Sequence, residues 1–260
     1  MRSVALFLAV CATVLGQPSE YNAIYRGETG AVFSAKPNAF LVEMTQARRP
    51  GKALDAGMGQ GRNSIYLAQQ GWDVTGFDSA DEGVSRARVE AARLGLKITA
   101  VVKTFEDFDF GENHWDLIVL TYEPTKAIAP KVARALKPGG AVIVEDRHLD
   151  TRRVWPAGTF DNNELLSLFP GLRVLRYEDV WARPDWGPEP MDARLVRLFA
   201  EKPLPREQGC VWESMTLAEG CSVCWQSITF RCGPAGWEFY REKCKPLEKG
   251  AAQNCEVSGR

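Results

Sequence analysis

The sequence predicts an α/β fold: a doubly wound, mostly parallel sheet of seven strands whose last strand is antiparallel. From residue 52 onward, short apolar runs typical of buried strands alternate with amphipathic helical segments. A glycine-rich loop directly follows the first apolar run. Two strand-like runs, residues 173–177 and 194–199, predict a final hairpin, which distinguishes this fold from the sheet that binds nicotinamide cofactors.

The predicted helices and strands follow in order along the chain. Residues 21–32 are mixed and turn-rich, and Asn38 can then cap a lead helix that runs to about Arg48. Residues 80–94 form a charged amphipathic pattern that ends at Gly95, as expected for a helix. The other predicted elements are helices over residues 63–70 and 128–136 and strands over residues 52–56, 72–77, 98–102, 115–120, 141–145, 173–177 and 194–199.

The loop after the first strand carries Gly57, Gly59 and Gly61 in a Gly-x-Gly-x-Gly spacing. Glycine lets the chain turn sharply and brings its backbone against a ligand with no Cβ between them. The next helix directs its free N–H groups and positive end at the same ligand, which favours an anion such as the carboxylate of S-adenosylmethionine. A nicotinamide loop needs glycine at the sixth position, which is Arg62 here. The spacing therefore favours an adenosyl cofactor.

Two acids flank the glycine loop. Asp55 lies two residues before the first glycine, where it can bind an ammonium group. Asp78 closes the second strand, and a carboxylate there can accept hydrogen bonds from both ribose hydroxyls. We also place Arg62 among the cofactor-binding residues, and expect it to shape the loop together with Asn63. The alternative is that the glycines serve only a tight strand-to-helix turn without a ligand. The presence of both Asp55 and Asp78 makes this alternative weaker.

The chain resembles the class I S-adenosylmethionine-dependent methyltransferases, in particular the branch of the tellurite-resistance methyltransferases. Three runs carry the resemblance, residues 37–41, 59–68 and 71–78, within a similar stretch of about residues 30–203. The resemblance implies a Rossmann-like methyltransferase fold, S-adenosylmethionine as cofactor and methyl transfer by direct displacement. Its motifs describe the cofactor and say little about the acceptor.

The predicted adenine end of the site departs from that family. The family places an acid where this chain has Lys103 or Thr104. Thr104 can still accept a hydrogen bond and Phe105 can offer its backbone N–H, so both are candidate cofactor-binding residues. Glu106 or Asp107 could also turn in from the following loop, although a solvated loop position is the simpler interpretation.

The methyl acceptor is expected beyond the fourth strand, at residues 121–126. Methyl displacement needs mainly proximity and alignment, and needs a base only when the acceptor must lose a proton. Tyr122 can line the methyl group and Glu123 can be that base; the alternative is a packed tyrosine and a solvated glutamate. His148 follows the fifth strand at the binding edge of such a sheet, with a solvated loop histidine as its alternative. These three are the predicted catalytic residues.

Composition limits the partners of the chain. It has 260 residues, 45% of them hydrophobic, and a net charge of -1. No basic run stands out, so we expect a small-molecule acceptor and no binding to a nucleic-acid backbone. The predicted site contains no metal ligands. The sequence does not indicate an oligomeric state.

The N-terminal residues 1–16 are predicted to be a signal peptide. Arg2 precedes an apolar run at residues 4–15, and cleavage before Gln17 fits the residues that a signal peptidase reads. The run is too short for a stable membrane span. The predicted location is therefore the periplasm or the exterior, or the cytoplasm if the signal is inactive. A buried N-terminal helix and a lipoprotein modified at Cys11 are the weaker alternatives.

A cysteine-rich tail, residues 204–260, follows the predicted methyltransferase domain at residues 17–203. With an export signal, its six cysteines predict three disulfide bonds in a segment too short for a core of its own. A zinc site of four thiolates is the alternative, although only one close Cys-x-x-Cys pair is present. The tail cysteines are Cys210, Cys221, Cys224, Cys232, Cys244 and Cys255.

The predicted cofactor and the predicted location disagree. S-adenosylmethionine is a cytoplasmic metabolite, whereas a signal peptide and a disulfide-rich tail indicate an oxidising compartment. The first hypothesis is a methyltransferase that acts on a small molecule. The second is a non-catalytic exported binding protein that keeps the fold and uses its tail for a partner or envelope contact.

Overall fold

The computed structural model divides the chain into two compact units, residues 1–203 and residues 204–260. The predicted signal peptide, with Cys11 and the cleavage site before Gln17, lies outside the residues that the structure describes. The described residues are 18–153, 159–187, 191–204, 210–212, 215–217, 220–225, 228–233, 236–243 and 257–258.

Seven strands of the first unit form a single sheet. They are β1 (Lys52–Ala56), β2 (Asp73–Asp78), β3 (Ile98–Val102), β4 (Trp115–Thr121), β5 (Leu136–Arg147), β6 (Arg173–Ala182) and β7 (Ala193–Glu201). Their order is β3-β2-β1-β4-β5-β7-β6. The first five strands pair in parallel, and β7 lies antiparallel between β5 and β6. The predicted fold class is confirmed.

Helices precede and connect these strands. They are α1 (Pro18–Tyr25), α2 (Ala39–Thr45), α3 (Arg62–Gln69), α4 (Asp81–Arg93), α5 (Thr125–Ala135) and the short α6 (Glu164–Ser167), with a 3₁₀ turn at Leu149–Arg153. Asn38 caps α2 as expected, since its side chain accepts the Leu41 N–H at 2.9 Å.

Several predicted boundaries were wrong. The segment predicted to be turn-rich contains helix α1, whose first residue is a proline with φ already suited to a helix. Strand β5 is longer than predicted at both ends, because its pairing with β4 begins at Leu136 and its pairing with β7 continues to Arg147. Helix α5 accordingly ends one residue earlier than expected, at Ala135.

The core lies on both faces of the sheet, because successive strand residues point to opposite sides. On one face Leu54, Ile118 and Val144 pack with α5. On the other, Leu117 and Ile143 pack with α2 and α3. Complete burial of such side chains contributes about 1.5–3 kcal/mol each. The packing holds the carboxyl ends of β1, β2, β4 and β5 along one edge of the sheet.

The described residues of the second unit form two small antiparallel sheets. The first consists of β10 (Ser222–Trp225), β11 (Ile228–Gly233) and β12 (Gly236–Lys243), and the second of β8 (Cys210–Trp212), β9 (Met215–Leu217) and β13 (Val257–Ser258). Cys221 and Cys232 are buried, and each is disulfide-bonded. These two are thereby removed from the four-thiolate zinc set. The prediction of three bridges also depends on cysteines whose side chains lie outside the described residues.

Within the described part of the chain, no helix combines the length and apolar character needed to cross a membrane.

Candidate functional site

The glycine loop, residues 57–61, joins the end of β1 to the start of α3. Gly57, Gly59 and Gly61 have φ values of 77°, 53° and 82°, a left-handed region that side chains other than glycine rarely adopt. The N–H groups of Gly57 and Met58 both donate to the Phe77 carbonyl at 2.9 Å, which ties the loop to β2. The backbone of the loop therefore requires glycine at these three positions.

Side chains from elsewhere approach the loop closely where its Cβ atoms are missing. A Cβ on Gly57 would lie 2.1 Å from the carboxyl carbon of Glu123, and a Cβ on Gly59 would lie 2.5 Å from the hydroxyl of Tyr25. Both distances are far below van der Waals contact. The absence of a Cβ thus leaves room for the polar atoms of Glu123 and Tyr25 beside the loop. A side chain at Gly57 or Gly59 would occupy that room.

The structure brings Asp78 to the same loop. Its two carboxylate oxygens accept hydrogen bonds from the N–H groups of Gly59 and Ala80, each at 2.8 Å. Burial raises the pKa of Asp78, and the backbone donors oppose that shift. Each oxygen keeps a second lone pair, so the carboxylate can still accept hydroxyl groups from a ligand.

Asp55 lies beneath the loop, at the buried end of β1. It is 2% exposed, and Ser64 of α3 donates its hydroxyl to the carboxylate at 2.6 Å. Burial raises the pKa of Asp55 from 3.8 to about 6, against the opposing effect of the Ser64 hydrogen bond. With a pKa of about 6, this carboxyl is mostly ionised at neutral pH and takes up a proton in mildly acidic solution.

The raised pKa of Asp55 predicts a pH-dependent stability. The folded protein binds a proton that the unfolded chain has lost, so stability from this group is full below pH 4 and disappears as pH rises to 6. The pKa shift from 3.8 to about 6 corresponds to a loss of about 3 kcal/mol, since each pKa unit is equivalent to about 1.36 kcal/mol. In Asp55→Asn, which keeps an acceptor for Ser64, the free energy of unfolding in urea should therefore fall about 3 kcal/mol less between pH 4 and pH 8 than in the wild type. Equal pH slopes in both proteins would contradict this assignment.

The side chains of Arg62 and Asn63 attach other segments to the glycine loop. Arg62 pairs with Asp185 at 2.9 Å and donates to the carbonyl of Lys36 at 3.1 Å. Buried Asn63 accepts the N–H of Asn38 at 2.9 Å and donates to Thr121 at 3.2 Å. These contacts give both residues a part in shaping the loop.

Tyr122 is held in place by a buried acid. Its φ is +65°, and its hydroxyl donates to the carboxylate of Glu145 at 2.5 Å. Burial and the negative Glu145 raise the pKa of Tyr122 well above 10, so its proton remains at neutral pH. Its side chain acts here as a hydrogen-bond donor and as part of the wall of the site.

Glu123 turns toward the glycine loop. Its carboxyl lies where a Cβ of Gly57 would be, and it has no hydrogen-bond or ion-pair partner among the described residues. Burial, together with the nearby carboxyls of Asp78, Asp146 and Asp55, raises the pKa of Glu123 well above 4.5. The carboxyl is thus an ionisable group directed at the space in which a ligand of the loop would lie.

Glu145, which the sequence analysis did not single out, organises one side of the site. It is 1% exposed at the carboxyl end of β5. It accepts hydrogen bonds from Tyr122, from Asn38 at 2.8 Å and from Arg197 at 2.6 Å. The available signal was an acid at the end of the apolar run Val142–Val144, which the prediction treated only as a strand boundary.

Aromatic side chains surround the space beside the loop. The ring of Phe33 lies 5.1 Å from Tyr25 and 5.5 Å from Trp186, measured between ring centroids. The guanidinium of Arg147 lies over the rings of Tyr122 and Trp186, at 5.1 and 4.9 Å. Trp186 comes from the β6–β7 connection, which the sequence analysis left unassigned. The walls are therefore apolar, with charged groups between them.

Three predicted site residues make their contacts with residues outside the group around the glycine loop. His148 is buried and its Nδ1 accepts the N–H of Asp150 at 3.0 Å. Thr104 exchanges hydrogen bonds with Asp107, at 3.0 and 3.2 Å. The ring of Phe105 packs edge-on against Phe77 at 5.0 Å. No hydrogen bond among the described residues joins His148 to Tyr122 or Glu123.

In the described portion of the structure, no group of three or more His, Cys, Asp or Glu side chains is arranged to hold a metal ion.

Comparison with known proteins relates the first unit to methyltransferases. Residues 53–140 match a family model described as a methyltransferase domain. An uncharacterized methyltransferase from Synechocystis is 35% identical over 129 residues, which cover 46% of this chain and 55% of the relative. The chain spans about half the length of the curated relatives it matches.

Solved structures share the fold of the first unit. TehB from Haemophilus influenzae has a TM-score of 0.57 at 20% identity, with 70% of this chain and 67% of that chain covered. A SAM-dependent methyltransferase from Methanosarcina mazei has a TM-score of 0.51 at 22% identity, with 63% and 98% covered. At these identities the similarity concerns the fold.

Proposed function

We propose that this chain, whose first unit has the class I methyltransferase fold and carries a methyltransferase domain, binds S-adenosylmethionine and methylates a small molecule. The observation that carries the proposal is the glycine loop, whose positive-φ backbone is bonded to the carboxylate of Asp78. Nucleoside cofactors are held by such a pair, a close backbone and an acid at the end of the neighbouring strand.

The residues at the loop match the groups of the cofactor. Asp78 has lone pairs free for the ribose hydroxyls, and the start of α3 presents N–H groups to a carboxylate. Asp55 contributes negative charge beneath the loop, where an ammonium group is favoured. When bound, S-adenosylmethionine would supply a methyl group bonded to a positively charged sulfur. A nucleophile attacks such a methyl carbon directly, and the sulfur leaves as a neutral thioether. The chain supplies binding, alignment and exclusion of water.

Few side chains at this site can hold or accept a proton during the reaction. Tyr122 keeps its proton, since its hydroxyl is committed to Glu145. Glu123 is the candidate base for an acceptor that must lose a proton, and it can accept one only in its ionised form. His148 remains a predicted catalytic residue at the end of β5. Acceptors that are already nucleophilic would need alignment alone.

A small acceptor is supported by the walls of the site. Phe33, Tyr122 and Trp186 bring large rings close together beside the loop. Such walls favour a compact, partly apolar molecule. The net charge of -1 gives no general attraction to a polyanion.

Calorimetry on the full chain tests the cofactor assignment. We expect S-adenosylmethionine to bind the wild type, and Asp78→Asn to weaken binding about tenfold or more, because hydrogen bonds to a charged group contribute about 1.5–3 kcal/mol. Asp73→Asn, at the exposed opposite end of β2, is the matched control and should bind like the wild type. Absence of binding to the wild type would refute the proposal.

The exported location and the division at residues 16 and 203 remain predictions. The buried, disulfide-bonded Cys221 and Cys232 favour an oxidising compartment for the tail. An exported enzyme would need a supply of S-adenosylmethionine outside the cytoplasm, so location and catalysis are separate questions.

A further inference from the structure

The carboxyl of Glu123 occupies the closest approach to the glycine loop. Its carboxyl carbon and both oxygens lie 2.1–2.6 Å from the position that a Cβ on Gly57 would take. A group bound against Gly57 must therefore either contact this carboxyl or displace it. Among the described residues no donor and no cation satisfies Glu123. A carboxyl so placed is unfavourable when ionised, unless a ligand brings positive charge to it.

The surroundings of Glu123 are electrically one-sided. Acids from three strands act on it, and the hydroxyls of two tyrosines on α1 are coupled to it electrostatically. Arg147 is the cation at the carboxyl end of β5, and its guanidinium lies over the rings of Tyr122 and Trp186. The groups that face Glu123 are Asp78 of β2, Asp146 of β5, Asp55 of β1, and Tyr21 and Tyr25 of α1.

We propose that Glu123 distinguishes the cationic cofactor S-adenosylmethionine from its neutral thioether product, S-adenosylhomocysteine. The inference rests on the proposed function. In the free protein, burial and the neighbouring carboxyls raise the pKa of Glu123 and so favour its protonated form. The positive sulfur of the cofactor favours the ionised form, so a proton passes to solvent when the cofactor binds. Methyl transfer removes that charge, since the electron pair of the broken carbon–sulfur bond stays on sulfur.

The proposal fixes the sign of a pH dependence. A ligand that releases a proton on binding gains affinity as pH rises, until the free protein has itself lost that proton. Affinity for S-adenosylmethionine should therefore increase with pH, whereas affinity for S-adenosylhomocysteine should change little. The product would consequently leave more readily than the cofactor at neutral pH.

Calorimetry with both ligands in phosphate and in Tris measures the released protons from the difference in heat between buffers. For the wild type we expect release of up to one proton with S-adenosylmethionine and none with S-adenosylhomocysteine. Glu123→Gln keeps the size of the side chain and removes its charge. This variant should release no proton, and its preference for S-adenosylmethionine over S-adenosylhomocysteine should fall about tenfold, the equivalent of one pKa unit.

Glu90→Gln, an exposed position on α4, is the control and should match the wild type in both measurements. Thermal melting of each variant checks that it folds. Binding of both ligands with an unchanged preference in Glu123→Gln overturns the role of Glu123 and leaves the proposed function intact. Proton release with both ligands also overturns the role of Glu123, because such a result would place the carboxyl near the ammonium group that both ligands share. Absence of binding by the wild type overturns the proposed function as well.

Discussion

Gly57→Ala is expected to lower the affinity for S-adenosylmethionine about a hundredfold or more. The new methyl group would lie 2.1 Å from the carboxyl carbon of Glu123, in the space that a ligand of the loop must use. The residue has φ +77°, so the loop would also shift to relieve the strained backbone. A loss of about 2.7 kcal/mol in binding corresponds to the expected factor. Calorimetric titration of the folded variant gives this number directly.

Gly95→Ala separates loss of the ligand space from backbone strain. Gly95 also has a positive φ, +69°, but a Cβ there would meet no atom within 4 Å. Its substitution should cost about 1–2 kcal/mol of stability, as for any left-handed residue, and leave binding unchanged. If Gly57→Ala bound the cofactor as tightly as Gly95→Ala, the glycine loop would not be the binding surface.

Glu145→Gln is expected to destabilise the fold by about 3 kcal/mol or more. The carboxylate is 1% exposed and joins Tyr122, Asn38 and Arg197. Arg197 would keep its contact with Glu178 at 3.0 Å but lose its buried partner, and removal of one member of a buried ion pair costs about 3–5 kcal/mol. The amide would also turn a donor toward the guanidinium of Arg197. Urea unfolding should show a lower midpoint with an unchanged m-value.

Glu178→Gln is the matched control for this charge. Glu178 contacts the same guanidinium at 3.0 Å but its side chain is 16% exposed, against 1% for Glu145. We expect a loss of about 1 kcal/mol, near the upper end for an accessible pair. Equal losses in the two variants would show that burial of Glu145 adds nothing to its effect.

The parts of the site predictable from the sequence are those whose cause is local. A backbone with three left-handed residues in five needs glycines, so the spacing of Gly57, Gly59 and Gly61 predicts the loop. An acid at the end of the next strand follows from the topology of a parallel sheet, as with Asp78. The alternation of strands and helices likewise predicted the sheet, whose seven strands and antiparallel β7 the structure bears out.

The remaining parts depend on contacts between distant segments. Asp185 binds Asn38 and Arg62 across 147 and 123 positions of the chain, and no periodicity in the sequence signals such a contact. Trp186, from the β6–β7 connection, contacts Phe33 and Tyr122 of much earlier segments. The closeness of the Glu123 carboxyl to Gly57 is a contact between two distant loops, and no local pattern in the sequence signals it. These positions required the structure.

Asp185 also has a consequence for the order in which the chain assembles. Its carboxylate accepts the N–H of Ala39 at 2.8 Å and pairs with Arg62, so the entrance of α2 and the helix after the glycine loop share one anchor. Contacts of such sequence separation form late, after the loops between them have closed. During synthesis from the N-terminus, the pocket therefore stays incomplete until the segment after β6 has been made. A nascent chain that ends before residue 185 would hold every glycine of the loop and still lack the anchor that holds its neighbours in place.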